Sequence, residues 1–331
     1  MMYRSEKLKK ILFCVTAAAL LAGCGSKDQE VVGNVGVNDN SAQVTEAADV
    51  TATPTEVVEE VPDINEDAQV TEEPDYVIDD ASTSTKSPIF KALDSIPTDA
   101  DIQAMSSESN GWGQGSQVDD LNRPAGCLQY QEKFGSHSVR FIMNDSEDKV
   151  IYLTFDEGYE NGYTSQILDK LKEKGVHAVF FITMDYAKKE PELVQRMIDE
   201  GHVVGNHSVT HPSAGLPSQS LADQENEVME LHNYVKENFG YEMYLFRFPA
   251  GIFSEQSLGI LDKCGYTGVF WSFAFHDWDP DNQMAYDDAL KKTIDCLHPG
   301  AIYLLHAVSS TNTAILGDFI DAAQAQGYTF K

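Results

Sequence analysis

The apolar, β-rich run Ile151–Phe155 stops at two adjacent carboxylates, Asp156 and Glu157, with Gly158 behind them. His207 and His211 stand four residues apart in Gly-Asn-His-Ser-Val-Thr-His-Pro, a spacing that puts two imidazoles on one face of a helical turn. Arg247-Phe-Pro-Ala-Gly251, Phe275-His-Asp277-Trp278 and Leu304-Leu-His306 each close a further apolar run. Taken singly, these features have bland readings: an acidic turn that solubilises a strand end, or two histidines with unrelated polar contacts. Taken together, five strand ends each deliver an ionisable group. In α/β folds the loops leaving the carboxyl ends of parallel strands converge on one face, so such groups can meet around one cavity. Two histidines, a carboxylate and an open position suit a divalent metal that activates water and polarises a carbonyl. The whole set suits acyl hydrolysis: a carboxylate base, an imidazole acid and a backbone donor for the oxyanion.

The elements that must position these groups alternate in type. Thr164–Lys174 is amphipathic, with Ile167, Leu168 and Leu171 at helical spacing and Gly175 just past the end. Strands are expected at 178–183, 202–205, 243–248, 269–275, 301–305 and 328–330, and helices at 191–200, 221–239, 257–264, 285–296 and 313–326. Repeated β-then-α units predict an α/β fold, a distorted (β/α) barrel of parallel strands. Upstream, 128–134 has helical character and 138–143 reads as a strand, so 87–147 is expected to be an extension packed on the barrel domain of 148–331. The Gly-rich stretch 110–115, with Trp112 inside it, reads either as a sugar-stacking platform or as a plug across a barrel end, and the plug is favoured.

Charge is unevenly shared. The net charge of −30 divides into +3 over residues 1–24, −14 over 25–86 and −19 over 87–331. A surface this negative repels phosphate backbones, which argues against a nucleic-acid partner. Residues 25–86 are rich in Thr, Glu, Asp and Pro with Tyr76 as the one aromatic, a composition that predicts a disordered acidic tether. Coil scaling gives such a segment a reach of roughly 40–50 Å. Ahead of it, a basic start and the apolar run Ile11–Leu21 read as an export signal, too short to span a bilayer. Cys127, Cys264 and Cys296 remain for the folded part, enough for one disulfide at most.

Two resemblances sharpen this reading. Leu21-Ala-Gly-Cys24 resembles the lipobox of bacterial lipoproteins, which implies acylation of Cys24 and a lipid anchor at the outer face of the cytoplasmic membrane, facing the wall. Thr154-Phe-Asp-Glu-Gly158, His207-Ser-Val-Thr-His211, Arg247-Phe-Pro-Ala-Gly251, Asp277-Trp278 and Leu304-Leu-His306 resemble the five ordered motifs of polysaccharide deacetylases with a NodB-type domain. Tyr159–Thr164, Phe270-Trp-Ser and His298–His306 are similar to the branch of delta-lactam-biosynthetic de-N-acetylases, whose substrate is muramic acid in peptidoglycan. The resemblance implies Asp156 as general base, Arg247 holding it charged, His306 as general acid and Asp277 orienting that imidazole. It implies a divalent metal, zinc or another transition metal, on His207, His211 and Glu157. The Ala250 N–H takes the place of the oxyanion donor, and Leu304 and Trp278 would line an acetyl pocket. The partner so implied is peptidoglycan or a related N-acetylated glycan; the alternatives are another acylated polysaccharide, or a glycan-binding wall lipoprotein of weak activity. Two positions depart from the family pattern: Glu157 stands in place of a second Asp, and Ala250 in place of an aromatic wall of the sugar groove.

Overall fold

A computed structural model of the protein describes residues 86–331. The expected export signal, Cys24 and all but the last residue of the acidic tether lie outside them. In chain order the elements are α1 (Asp99–Ala104), β1 (Asn110–Gly111), α2 (Ala125–Phe134), β2 (Val139–Arg140), β3 (Val150–Glu157), α3 (Thr164–Lys174) and β4 (Val179–Ile182). There follow α4 (Met184–Lys189), α5 (Pro191–Asp199), β5 (Val203–Asn206), α6 (Leu221–Phe239), β6 (Leu245–Phe246), β7 (Ile252–Phe253) and α7 (Glu255–Lys263). The chain continues through β8 (Thr267–Val269), α8 (Tyr286–Asp295), β9 (Ala301–His306), α9 (Ser310–Ala325) and β10 (Thr329–Phe330).

The main sheet runs β10-β3-β4-β5-β6-β8-β2, with β9 on the other edge of β3, and every pairing in it is parallel. The ring is closed by the segment after β8: Ser272 N–H donates to Ile302 O at 2.9 Å, Leu304 N–H donates to Phe273 O at 2.9 Å, and Phe273 bridges Tyr303. This is the distorted parallel barrel that the alternating pattern predicts. All eight residues of β3 are buried, as a central strand covered on both faces requires. In α3 the stripe Ile167, Leu168 and Leu171 is buried, and Gly175 at φ 62° caps the helix by donating to Leu171 O and Lys172 O. Ser220 starts α6 by accepting from Asp223 N–H, the cap its residue type favours.

The differences from expectation are mainly shorter strands. The stretch expected over 269–275 carries β8 only to Val269 and then a single bridge at Phe273; between them the Arg247 guanidinium reaches the backbone, Nε donating to Val269 O (3.1 Å) and Nη2 to Phe270 O (3.2 Å). The strand β2 pairs with β8 at Val139↔Gly268, so the sheet begins before residue 148. Trp112 is buried, packed against Tyr130, Phe141 and Phe270 with ring centroids 4.7–5.9 Å apart, a plug in the aromatic core. Cys127, Cys264 and Cys296 are all free thiols.

Candidate active site

The register of β3 against β9 places Asp156 beside His306 and Thr154 beside Leu304. Parallel neighbours lie about 4.8 Å apart, so the two ionisable groups stand side by side on one barrel rim. Both line a cavity of about 630 Å³, together with His207, His211, Ala250 and Trp278. That volume is in the usual range for a small-molecule site.

Arg247 is fully buried and donates from Nη1 to Asp156 Oδ1 at 2.8 Å and to Thr154 Oγ1 at 2.7 Å. Burial opposes charge on Asp156, yet the Arg247 charge, with smaller help from His207 and His306, holds its carboxyl below the usual carboxylate range. On the other side, the His306 Nδ1 is 2.7 Å from Asp277 Oδ1, and the His306 N–H donates to Asp277 Oδ2 at 2.9 Å. Burial works against a charged His306, but the hydrogen bond and charge of Asp277 override it and raise the imidazole above its ordinary value. The arrangement sets a carboxyl whose charged form is favoured against an imidazole whose protonated form is favoured around one cavity, a pair able to serve as base and acid in acyl hydrolysis.

His207 and His211 are brought together by a tight turn rather than a helix. Ser208 and His211 both have left-handed backbones (φ 73° and 48°), and the two rings sit with centroids 4.7 Å apart. The Nδ1 of His207 faces Arg247 O at 2.9 Å, which assigns the proton to that nitrogen and leaves Nε2 as a lone pair. Burial pushes His207 down to about 4, so it is neutral, the form that ligates metal. The Nε2 is 3.5 Å from Asp156 Oδ2. Two imidazoles therefore fit a divalent cation, and the third expected ligand does not. Successive side chains of a strand point to opposite faces, so Asp156 enters the cavity and Glu157 leaves it. The Glu157 carboxyl lies 3.5 Å from Thr164 Oγ1 at the start of α3, and Glu157 does not line the cavity. Burial, then repulsion by Glu160 and Asp156, pushes it well above the usual carboxylate value. Among the described residues, no group of three His, Cys, Asp or Glu side chains is disposed to hold a metal.

The remaining expected residues are at the same rim. Ala250 lines the cavity with a left-handed backbone (φ 53°), while Leu304 is buried in its wall and Trp278 is 56% exposed at its mouth. Other site residues escaped the sequence reading. Asn312 Nδ2 donates to Asp277 Oδ2 at 2.6 Å, and Glu227 accepts from Thr210 N–H (2.9 Å) and Thr210 Oγ1 (2.5 Å), tying down the histidine turn. Both left a signal: each is a polar residue in the buried stripe of its helix, Asn312 among Ile315, Leu316 and Phe319, Glu227 among Val228, Leu231 and Val235.

The polysaccharide deacetylase family matches the chain over residues 143–269. The peptidoglycan-N-acetylmuramic acid deacetylase PdaA of Bacillus subtilis is 41% identical over 239 residues, 70% of this chain and 87% of that protein. The solved structure of B. subtilis PdaA, a family 4 carbohydrate esterase, superimposes with a TM-score of 0.64 at 39% identity, covering 68% of this chain and 95% of that one. A family 4 carbohydrate esterase from Bacillus anthracis gives a TM-score of 0.56 at 37% identity, over 69% and 95% of the two chains. Motif order, barrel topology and these relatives agree, and the chain belongs to the polysaccharide deacetylase family of hydrolases.

Proposed function

We propose that the protein removes N-acetyl groups from peptidoglycan amino sugars, with N-acetylmuramic acid as the preferred target. The observation that carries this is the pairing of Asp156–Arg247 with His306–Asp277 at the same point of two adjacent parallel strands. In the proposed reaction Asp156 takes a proton from the water as its oxygen attacks the acetyl carbonyl, and the Ala250 N–H faces the developing oxyanion. His306 then gives its proton to the leaving nitrogen as the C–N bond breaks, releasing acetate and the free amine. Asp277 keeps the imidazole oriented and protonated until that step. His207 and His211 are the residues that would hold a divalent metal, zinc by the softness of two imidazoles, and a metal there would make bound water more acidic. Its shell would take fewer protein donors than three. The name of PdaA and its 41% identity support muramic acid over glucosamine.

Acetate release from peptidoglycan fragments by the full chain, weighed by mass spectrometry with and without a chelator, tests the reading. Asp156→Asn and His306→Ala are each expected to cost about 10²–10⁴-fold in kcat. Full activity in both would end it, and lactam closure in the product would single out muramic acid. Export and attachment through an acylated Cys24 are part of the same proposal, supported by the Leu21–Cys24 motif.

A further inference from the structure

The Gly-rich loop of the N-terminal extension does not reach the cavity with Trp112; it reaches it through another ring. Trp271 lines the cavity and is held by the extension at both its backbone and its side chain. Trp112 Nε1–H donates to Trp271 O at 3.1 Å, and the Trp271 Nε1–H donates to Gln114 Oε1 at 3.0 Å. Gln114 spans the gap to the next cavity residue as well, its Nε2 donating to Ala274 O at 3.0 Å. The indole edge lies against the Pro249-Ala250-Gly251 turn so closely that a Cβ at Gly251, where φ is +66°, would come within 2.8 Å of it. Ala250, exposed beside it, is where the family pattern has an aromatic wall.

We infer that the Trp271 ring, fixed in place by Gln114, is the saccharide-stacking wall that stands in for the aromatic residue missing at Ala250, and that Gln114 is a positioning residue for substrate binding. This rests on the cavity being a glycan site. An aromatic face offers a sugar ring apolar C–H contact, and the contact is worth most when the ring is already immobile. A free indole at a cavity mouth would lose rotamer freedom on binding; one hydrogen-bonded through Nε1 and packed on Gly251 has lost it beforehand. Because the wall binds the sugar equally in ground and transition states, its loss belongs in KM rather than kcat.

Steady-state kinetics of the full chain on a peptidoglycan tetrasaccharide test this with Gln114→Ala, Trp271→Leu and Trp271→Phe. For Gln114→Ala and Trp271→Leu, KM is expected to rise about tenfold, the size of one aromatic contact, with kcat and the thermal midpoint little changed. Trp271→Phe keeps a ring and loses the N–H, so combining it with Gln114→Ala should cost no more than either change alone. An unchanged KM, a loss confined to kcat, or additive costs in the double variant would overturn the inference. If the wild type releases no acetate, the proposed function fails separately, and calorimetric affinity for the same tetrasaccharide decides this one: weaker binding by the variants supports it, and equal binding or none by the wild type overturns it.

Discussion

At the scale of single residues the site is governed by which charges burial permits. As the proposed general acid His306 must carry a proton, and against the effect of burial Asp277 raises its folded pKa. Activity is therefore expected below that raised value and expected to be lost as pH climbs through it. Asp277→Asn removes the cause, so the alkaline limb of kcat/KM should move to lower pH while kcat falls. Asp156 is depressed by Arg247, so the acid limb should lie below the usual carboxylate range. A pH–rate profile of the wild type and of Asp277→Asn checks both limbs. Glu157 runs the other way. Its carboxyl is raised in the fold, so whatever stability it contributes is greatest when protonated and declines as pH rises from the unfolded value through the folded one. Glu157→Gln keeps the neutral shape and should raise the melting temperature at neutral pH by about 2–4 °C, the effect of ~1 kcal/mol in a domain of this size. The metal content of the variant, measured by elemental analysis, should equal that of the wild type.

At the scale of elements, two helices and one loop position the chemistry. α6 carries Glu227 under the histidine turn, where its carboxylate takes the Thr210 N–H and hydroxyl. Glu227→Ala frees that turn without touching either imidazole, and on the proposal that His207 and His211 hold a divalent metal it should weaken the affinity for added zinc about 10–100-fold by titration, the size of an outer-shell loss. α9 does the same for the His306–Asp277 pair, since Asn312 holds Asp277 and also donates to His306 O at 3.2 Å. The loop around Trp112 plugs the aromatic core against Phe141 and Phe270. Truncation of a buried aromatic of this size costs roughly 3–5 kcal/mol, so Trp112→Ala should lower the midpoint of chemical denaturation accordingly.

At the scale of the whole molecule, charge is the property that matters. Residues 87–331 carry a net −19, and the lactyl carboxylates of peptide-free muramic acid in glycan strands are anionic too. Like charges slow encounter most when the Debye length is long, ~30 Å at 0.01 M salt against ~8 Å at 0.15 M. KM for lactyl-bearing strands is therefore expected to fall as salt is raised over that range, while KM for a neutral N-acetylated chitooligosaccharide stays level. A parallel response on both substrates would count against long-range repulsion.

The sequence by itself determined the fold class and most of the ionisable residues around the cavity, because both are written in local patterns. Apolar runs ending in Asp156, Arg247 and His306 announce strand ends, and Thr164–Lys174 and Leu221–Phe239 carry their own helix start and stop signals. Tertiary structure alone decided what those residues face. Whether Asp156 or Glu157 enters the cavity depends on the pleat of β3, which a pair of adjacent acids does not reveal. That Trp271 rather than Trp112 meets the cavity, tied by its indole N–H to Gln114 across 157 residues, is a matter of tertiary packing. The same holds for the strand expected at 269–275: the Arg247 side chain supplies the donors for the carbonyls of Val269 and Phe270, a contact between segments that no local propensity encodes.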